Sequence, residues 1–301
     1  MTATNPSPSH VSEEQLAQRL RQLPLLPAVV TEMLSLDAEA DDYLDRLVRL
    51  AECDPPFAVR VLQCANSAYS APWTPIVSLD KAAMRLGTDQ CAGLVLALSV
   101  IKVFIPRTEA QRFLWVHSLQ TALFASRFCK DVPALRRQCS QAYVCGLLHD
   151  IGRFVQFEGA PADLTRVDEM HWMGPEELVD RERSTLGYDH ALLGWHACRK
   201  WSLPDPIGEV VRHHHADLSH AIHEHADLIR LVQWADALSM ALLLDPGIAD
   251  MTADSLMEHL ACEHAAIGPG HSPDEKARWH RWVPDLRDKS MQLAREMNLL
   301  R

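Results

Sequence analysis

The stretch Gly146-Leu147-Leu148-His149-Asp150-Ile151-Gly152 sets an imidazole and a carboxylate side by side at the end of an apolar helical run. Burying that carboxylate costs several kcal/mol unless a cation or several donors meet it. One imidazole nitrogen with one or two carboxylate oxygens suits iron, manganese or zinc. The pair by itself arises by chance on many helices, so the other histidines and aspartates decide its meaning. His117 shares a helix face with Phe113, Leu114 and Phe124, where a lone histidine is more often a core residue bonded to a carbonyl. His190 shares a face with Leu193, Gly194, Ala197 and Trp201, and Gly194 would let a backbone or a bulky centre come close.

His213-His214-His215 is a triple. Neighbours on a helix diverge by about 100°, so at most two of the three reach one centre easily. The plainer alternative is a solvated helix end, where imidazolium favours the dipole, and His220, His223 and His225 fall into that class. Asp236 is the most telling single residue. Leu228, Val232, Asp236 and Met240 step by four, which puts a carboxylate on an apolar ladder. It should be metal-bound or paired, with Arg230 or another arginine as the salt-bridge alternative. Nitrogen and oxygen donors in this excess, on five separate helices, fit a two-metal site better than one tetrahedral zinc. Two such ions could clamp a phosphate, with Asp150 as the shared carboxylate.

The elements that must position these residues are helices. Short helical patterns separated by short breaks fill the first hundred residues. They include about 42–53, 76–86 and 94–104, and one opened by Ser12-Glu13-Glu14-Gln15 as a capping box. No segment alternates with the period of a strand, and no repeat recurs at a fixed spacing. Longer helices follow at about 109–130, 136–149, 175–186, 190–201, 205–214 and 225–244. The stretch 158–175, with Gly159, Pro161, Gly174 and Pro175, reads as a loop. A helix at about 253–266 and a last one at about 284–300 close the chain. The last carries Leu286, Ser290, Leu293, Met297 and Leu300 at three-four spacing. That stripe should dock on its own domain, with a homodimer contact as the lesser alternative.

The 301 residues are enough for one large or two ordinary domains, and 48% apolar content is that of a globular chain. A net charge of −11 argues against a general nucleic-acid surface, leaving only a local basic patch near Arg136 and Arg137. Charges interrupt every apolar run before it reaches the length of a membrane span. Residues 1–12 are polar, lack the features of a signal peptide and read as disordered, which points to the cytoplasm. The eight cysteines form no CxxC pair and read as reduced core residues.

The order His117, His149-Asp150, Asp236 resembles the HD superfamily of metal-dependent phosphohydrolases, and more closely its HDOD branch (HD-related output domain). The residues that carry the resemblance are Asp54-Pro55, Leu62-Gln63-Cys64-Ala65-Asn66-Ser67-Ala68, Leu86-Gly87 and the stretch 146–152. Glu182, Gly187, His190, Gly194, Trp201-Ser202-Leu203-Pro204, His214-His215 and Ala235-Asp236-Ala237-Leu238 complete the set. The resemblance spans about Leu20 to Leu244.

It implies an all-α fold in which an N-terminal group of short helices packs on an HD-type helical bundle. The corresponding limits are 13–106 for the N-terminal group, 107–245 for the bundle and 246–301 for a C-terminal extension. It also implies that His117, His149, Asp150, His190, His214, His215 and Asp236 are the metal ligands, with His213 in the family's aromatic place. One or two ions are implied, iron or manganese first and zinc next. HDOD proteins are bacterial signalling modules found alone or beside cyclic-di-GMP turnover and sensor domains. They are held to act through protein partners after losing hydrolase activity. The resemblance therefore implies a cytoplasmic regulator. The rival is a metal-dependent phosphohydrolase of a nucleotide or cyclic dinucleotide, with Arg153 as a phosphate contact. Two departures count against cyclic-di-GMP hydrolysis. His214-His215 is followed by Ala216-Asp217-Leu218-Ser219 instead of a Gly-Tyr-Pro loop, and Arg153 stands where the related hydrolases carry lysine.

Overall fold

The computed structural model describes residues 13–36, 40–52, 55–66, 75–169, 174–218, 224–252 and 273–300, with 254–256, 258 and 260. The expected disordered start, Ser12 of the capping box, Asp54, residues 67–70, His220, His223 and most of the helix expected at 253–266 lie outside the described residues. Among the described residues there is no strand, and the chain is all-α.

The N-terminal group consists of α1 (Glu13–Arg21), α2 (Ala28–Leu34), α3 (Tyr43–Glu52), α4 (Pro55–Ala65), α5 (Leu79–Leu86) and α6 (Thr88–Val103). Every residue of α6 from Cys91 to Val100 is buried, as expected of a helix apolar on all sides. The other helices of the group pack round it. No single described helix is long and apolar enough to cross a membrane, and the apolar pair α5 and α6 is bent by 111°.

The bundle begins with α7 (Glu109–Cys129), opened by a capping box in which Thr108 and Gln111 satisfy each other's backbone N–H groups. It continues through α8 (Cys139–Leu148), α9 (Ile151–Gly159), α10 (Pro161–Glu169), α11 (Pro175–Leu186), α12 (His190–Lys200), α13 (Asp205–His213) and α14 (Ala226–Leu244). Helices α7 and α14 are buried along most of their length and pack on each other and on α8. One apolar core runs through both the N-terminal group and the bundle. Phe104, Trp115, Phe154 and Trp201 form an aromatic seam between them, and the Trp201 indole donates to the Pro24 carbonyl at 2.9 Å.

Three expectations need correction. The stretch read as a loop contains α10. Pro161 sits in its first turn, where proline is tolerated, and Leu164 and Val167 bury against Leu178 and Phe157. A second unassigned helix, α9, begins directly after Asp150. The last helix, α15 (Pro273–Glu296), starts a full eleven residues earlier than expected and carries Pro284 inside it. Val283 and Leu286, buried on either side of that proline, hold the helix on the core. Its stripe docks on α7 and α4 of its own chain. All six described cysteines are buried and unbridged.

Candidate metal centre

Two close helix approaches build the centre. A Cβ at Gly146 would lie 2.8 Å from the Ala122 Cα, so only glycine lets α8 settle this near α7. That contact brings His149 to His117. A Cβ at Gly152 would lie 1.9 Å from the His190 carbonyl oxygen, and one at Gly194 would lie 3.0 Å from the Gly152 nitrogen. These two glycines let α9 and α12 touch backbone to backbone, which sets His190 beside Asp150. Asp189 caps α12, accepting from the Leu192 N–H at 2.6 Å, and so fixes the turn that presents His190.

The seven residues singled out in the sequence all meet at one place, in two sets joined by Asp150. In the first, His117 Nε2 lies 3.2 Å from His149 Nε2 and 3.1 Å from Asp236 Oδ1. Asp150 Oδ2 lies 3.6 Å from His149 Nε2 and 3.9 Å from His117 Nε2. In the second, Asp150 turns its other oxygen, Oδ1, to His190 Nε2 at 3.3 Å and His214 Nε2 at 3.5 Å. His190 and His214 oppose their Nε2 atoms at 3.1 Å. His215 joins this second set and also faces Asp236 Oδ2 at 3.9 Å. A tetrahedral ion with bonds of about 2.1 Å spaces its ligands by about 3.4 Å, so both sets are spaced as ligands to a common ion are.

The donor chemistry supports the same fit. The outer nitrogens of His149, His214 and His190 meet carbonyl or carboxylate oxygens, which can only accept, so those nitrogens carry the hydrogen. His149 Nδ1 donates to the Gly146 carbonyl at 2.8 Å. His214 Nδ1 donates to the Val211 carbonyl at 2.8 Å. His190 Nδ1 donates to Glu182 Oε2 at 2.6 Å. His117 Nδ1 pairs with Ser239 Oγ at 3.0 Å, and where that hydroxyl gives its hydrogen to Gln120 Oε1 at 3.1 Å or the His117 carbonyl at 3.3 Å, the ring donates to it. The inner Nε2 atoms of neutral rings are then lone pairs facing other lone pairs and two carboxylates. Only positive charge, protons or metal ions, reconciles that arrangement.

Ionisation follows the geometry. Burial alone would push the Asp150 and Asp236 carboxyls up. Instead, His149, His190 and His214 hold Asp150 well below the usual carboxylate range, and His117 and His149 do the same for Asp236. Burial pushes His149 down, but Asp150 and Asp236 outweigh it and raise its pKa to about 9. His190 is likewise raised, burial being outweighed by Glu182. Burial and neighbouring imidazoles lower His214 and His215.

Among the described residues no arginine pairs with Asp236, and Arg230 lies by Asp227 at 3.6 Å. His213 turns outward to Glu209, 3.6 Å away, leaving its two neighbours to the centre. Arg153 is buried and its guanidinium is engaged by Asp168 at 2.6 Å and Glu182 at 3.3 Å. It stands behind His190 and shares Glu182 with it. Glu182 is the important residue that the sequence reading passed over as a ligand support. It is fully buried and accepts from His190 twice, through the ring and through the backbone N–H at 2.7 Å. Leu178, Glu182 and Leu186 step by four and are all buried, so the spacing that singles out Asp236 singles out Glu182 as well. Ser239 carried no such signal.

The profile of the HDOD domain family matches residues 23–217, well over half of the chain. An uncharacterized protein of Treponema pallidum is 26% identical over 223 residues, 73% of this chain and 43% of that protein. The chain thus spans under half the length of the curated relative it matches. A crystal structure from Shewanella amazonensis, described as a candidate phosphohydrolase, superposes with a TM-score of 0.73 at 21% identity, covering 95% of this chain and 99% of that one. A candidate signal transduction protein of Marinobacter aquaeolei superposes with a TM-score of 0.73 at 20% identity, covering 95% of this chain and 65% of that one. At such identities the likeness is one of fold. The family match, together with the helical order and the residues gathered at Asp150, makes this chain a member of the HDOD domain family.

Proposed function

We propose that the chain is a regulatory HDOD module whose bundle holds a two-ion transition-metal centre and whose N-terminal helices offer an apolar surface to a protein partner. The observation that carries the partner reading is where apolar side chains stay in water. Among the described residues, Leu25, Val59, Val77, Met84 and Ile105 of the N-terminal group are exposed, against Phe113 and Leu244 in the rest of the chain. Exposed apolar side chains that share one face mark association sites, and this reading takes these to share one. A cytoplasmic cyclic-di-GMP turnover or sensor protein is the partner class that kinship suggests. Affinity capture with the wild type and with the Val77→Glu, Met84→Glu double variant tests the reading. A specific partner should be retained by the first and lost by the second, with metal content equal in both. Identical capture by both proteins would sink it.

His117, His149, Asp236 and one oxygen of Asp150 would hold one ion, and His190, His214, His215 and the other oxygen would hold the second. The mixture of imidazole and carboxylate favours iron or manganese, with zinc next.

A second reading, a phosphohydrolase acting on a nucleotide or cyclic dinucleotide, is favoured by one feature. The centre is not sealed, since the Asp150, Asp236 and His215 side chains keep 9%, 8% and 13% of their surface accessible. Ions bound there would supply Lewis acidity and lower the pKa of water. The chain's own part would be to fix both carboxylates and exclude bulk solvent, while Arg153 stays committed to Glu182 and Asp168. Phosphomonoesters, nucleotides and cyclic dinucleotides can be screened with anaerobically loaded iron or manganese protein. Turnover abolished by His149→Ala plus Asp150→Ala supports this second reading, and no turnover removes it.

A further inference from the structure

Behind His190 a line of alternating charge runs from the candidate metal centre out to solvent, with one residue from each of α12, α11, α9 and α10. His190 of α12 donates from Nδ1 to Glu182 Oε2 at 2.6 Å. Glu182 of α11 turns its other oxygen, Oε1, to Arg153 Nη1 of α9 at 3.3 Å. Arg153 Nη2 then reaches Asp168 Oδ1 of α10 at 2.6 Å. The accessible share of each side chain falls inward along the line, from 30% at Asp168 to 8% at Arg153 and none at Glu182. Leu164 and Val167, buried against Leu178 and Phe157, dock α10 so that Asp168 meets the guanidinium.

The two bonds of that guanidinium are unequal. The contact with Asp168 is short even for a charge-assisted bond, whereas the one with Glu182 is long. One buried cation serves two carboxylates and sits nearer the outer one. What Asp168 takes of it, Glu182 keeps as negative charge for His190, whose ring and backbone N–H both turn to Oε2. In the low dielectric of the interior, linked charged bonds polarise one another, so the division is felt along the line. A stronger acceptor behind a ligating imidazole makes the far nitrogen a better donor to a metal.

We propose that Asp168 is a positioning residue for the metal centre: by drawing Arg153 outward, it leaves Glu182 free to orient His190 and to strengthen its Nε2 as a ligand. Only the last step, the effect on a ligand, rests on the metal-centre reading given above. Without the charge of Asp168, Arg153 would pass wholly to Glu182, and the acceptor behind His190 would weaken. Helix α10 thereby has a part in the centre from outside it, and the affinity of the centre is set in part by a carboxylate that solvent reaches.

The first readout uses the full chain without metal. The His190 Nδ1 proton should resonate far downfield in protein carrying nitrogen-labelled histidine, and the signal missing from His190→Gln identifies it. Asp168→Asn and Asp168→Ala should both move that signal upfield, because its bond to Glu182 weakens, and Asp168→Glu should leave it near the wild-type position. The second readout is manganese affinity, by competition with a chromogenic chelator. Removing the direct partner of a ligating imidazole costs roughly 10–100-fold, so one step further out Asp168→Asn should cost about threefold, with Asp168→Glu close to wild type. An unmoved His190 signal in folded Asp168→Asn and Asp168→Ala would overturn the proposal. So would equal losses of affinity in Asp168→Asn and Asp168→Glu, the result of a merely structural role. A wild type that takes up no metal, with the His190 signal still moved by Asp168→Asn, would overturn the metal-centre reading and uphold the link from Asp168 to His190.

Discussion

The centre of the bundle and the surface of the N-terminal helices depart in opposite senses from the rule that apolar groups lie inside. The bundle buries Asp150, Glu182, Asp236 and four inward histidines, with His215 partly buried beside them, whereas the N-terminal group leaves Leu25 88% and Val77 86% exposed. Each buried carboxylate is matched by imidazoles or by Arg153, so the cost of burial is offset within the fold. The exposed apolar side chains have no such match among the described residues, and each forgoes roughly 1.5–3 kcal/mol that full burial would return. One region is thus complete except for positive charge. The other keeps apolar side chains in water, which the partner proposed above would cover. Departures from local rules of this kind concentrate where proteins function.

That contrast can be broken at several points. The largest effect should come from Gly152→Ala, because the new Cβ would press into the His190 backbone. A loss of about 3 kcal/mol or more in chemical denaturation is expected, with metal content falling alongside, and unchanged stability would refute the backbone contact. Asp236→Ala should come next. It would remove a proposed ligand while leaving the fold, so elemental analysis of protein purified without an affinity tag should show metal lost. Full metal content in that variant would mean the centre does not depend on this set.

Glu182→Gln keeps the shape but weakens the acceptor behind His190, and a 10–100-fold loss of metal affinity is expected, read by competition with a chromogenic chelator. The pH dependence follows from His149. Without metal that ring holds a proton up to about pH 9, and an entering ion must displace it, so affinity should rise about tenfold per pH unit from 7 to 8.5. The sign for the metal-free fold is opposite. The raised His149 pKa contributes stability fully below about 6.5, and that contribution is lost as pH climbs through about 9. Titrations of metal-free and metal-loaded protein should diverge accordingly. The smallest effect belongs to the other region. Val77→Glu and Met84→Glu should each change stability by no more than about 0.5 kcal/mol, since neither side chain is packed. A large loss would show that the surface is structural.

Much of this was legible from spacing. Asp236 on the ladder of Leu228 and Val232 announced a buried carboxylate with business other than solubility, and those three residues are buried. Helix α10 was not legible. Gly159, Pro161 and Gly174 punctuate it like a loop, and its apolar pair gains meaning only against Leu178 of a different helix. By itself the sequence determined the all-helical class, because helical periodicity is a local property, and it nominated the polar residues that no apolar face should carry. Tertiary structure alone decided how they converge. Neighbours on a helix diverge by about 100°, yet His149 and Asp150 face one centre because α8 ends at Leu148 and α9 starts at Ile151. His214 and His215 do so because α13 has already ended at His213. The bridging of two donor sets by the two oxygens of Asp150 depends on how closely α9 and α12 approach, and that distance is set by glycines 42 residues apart whose contact exists only in the folded chain.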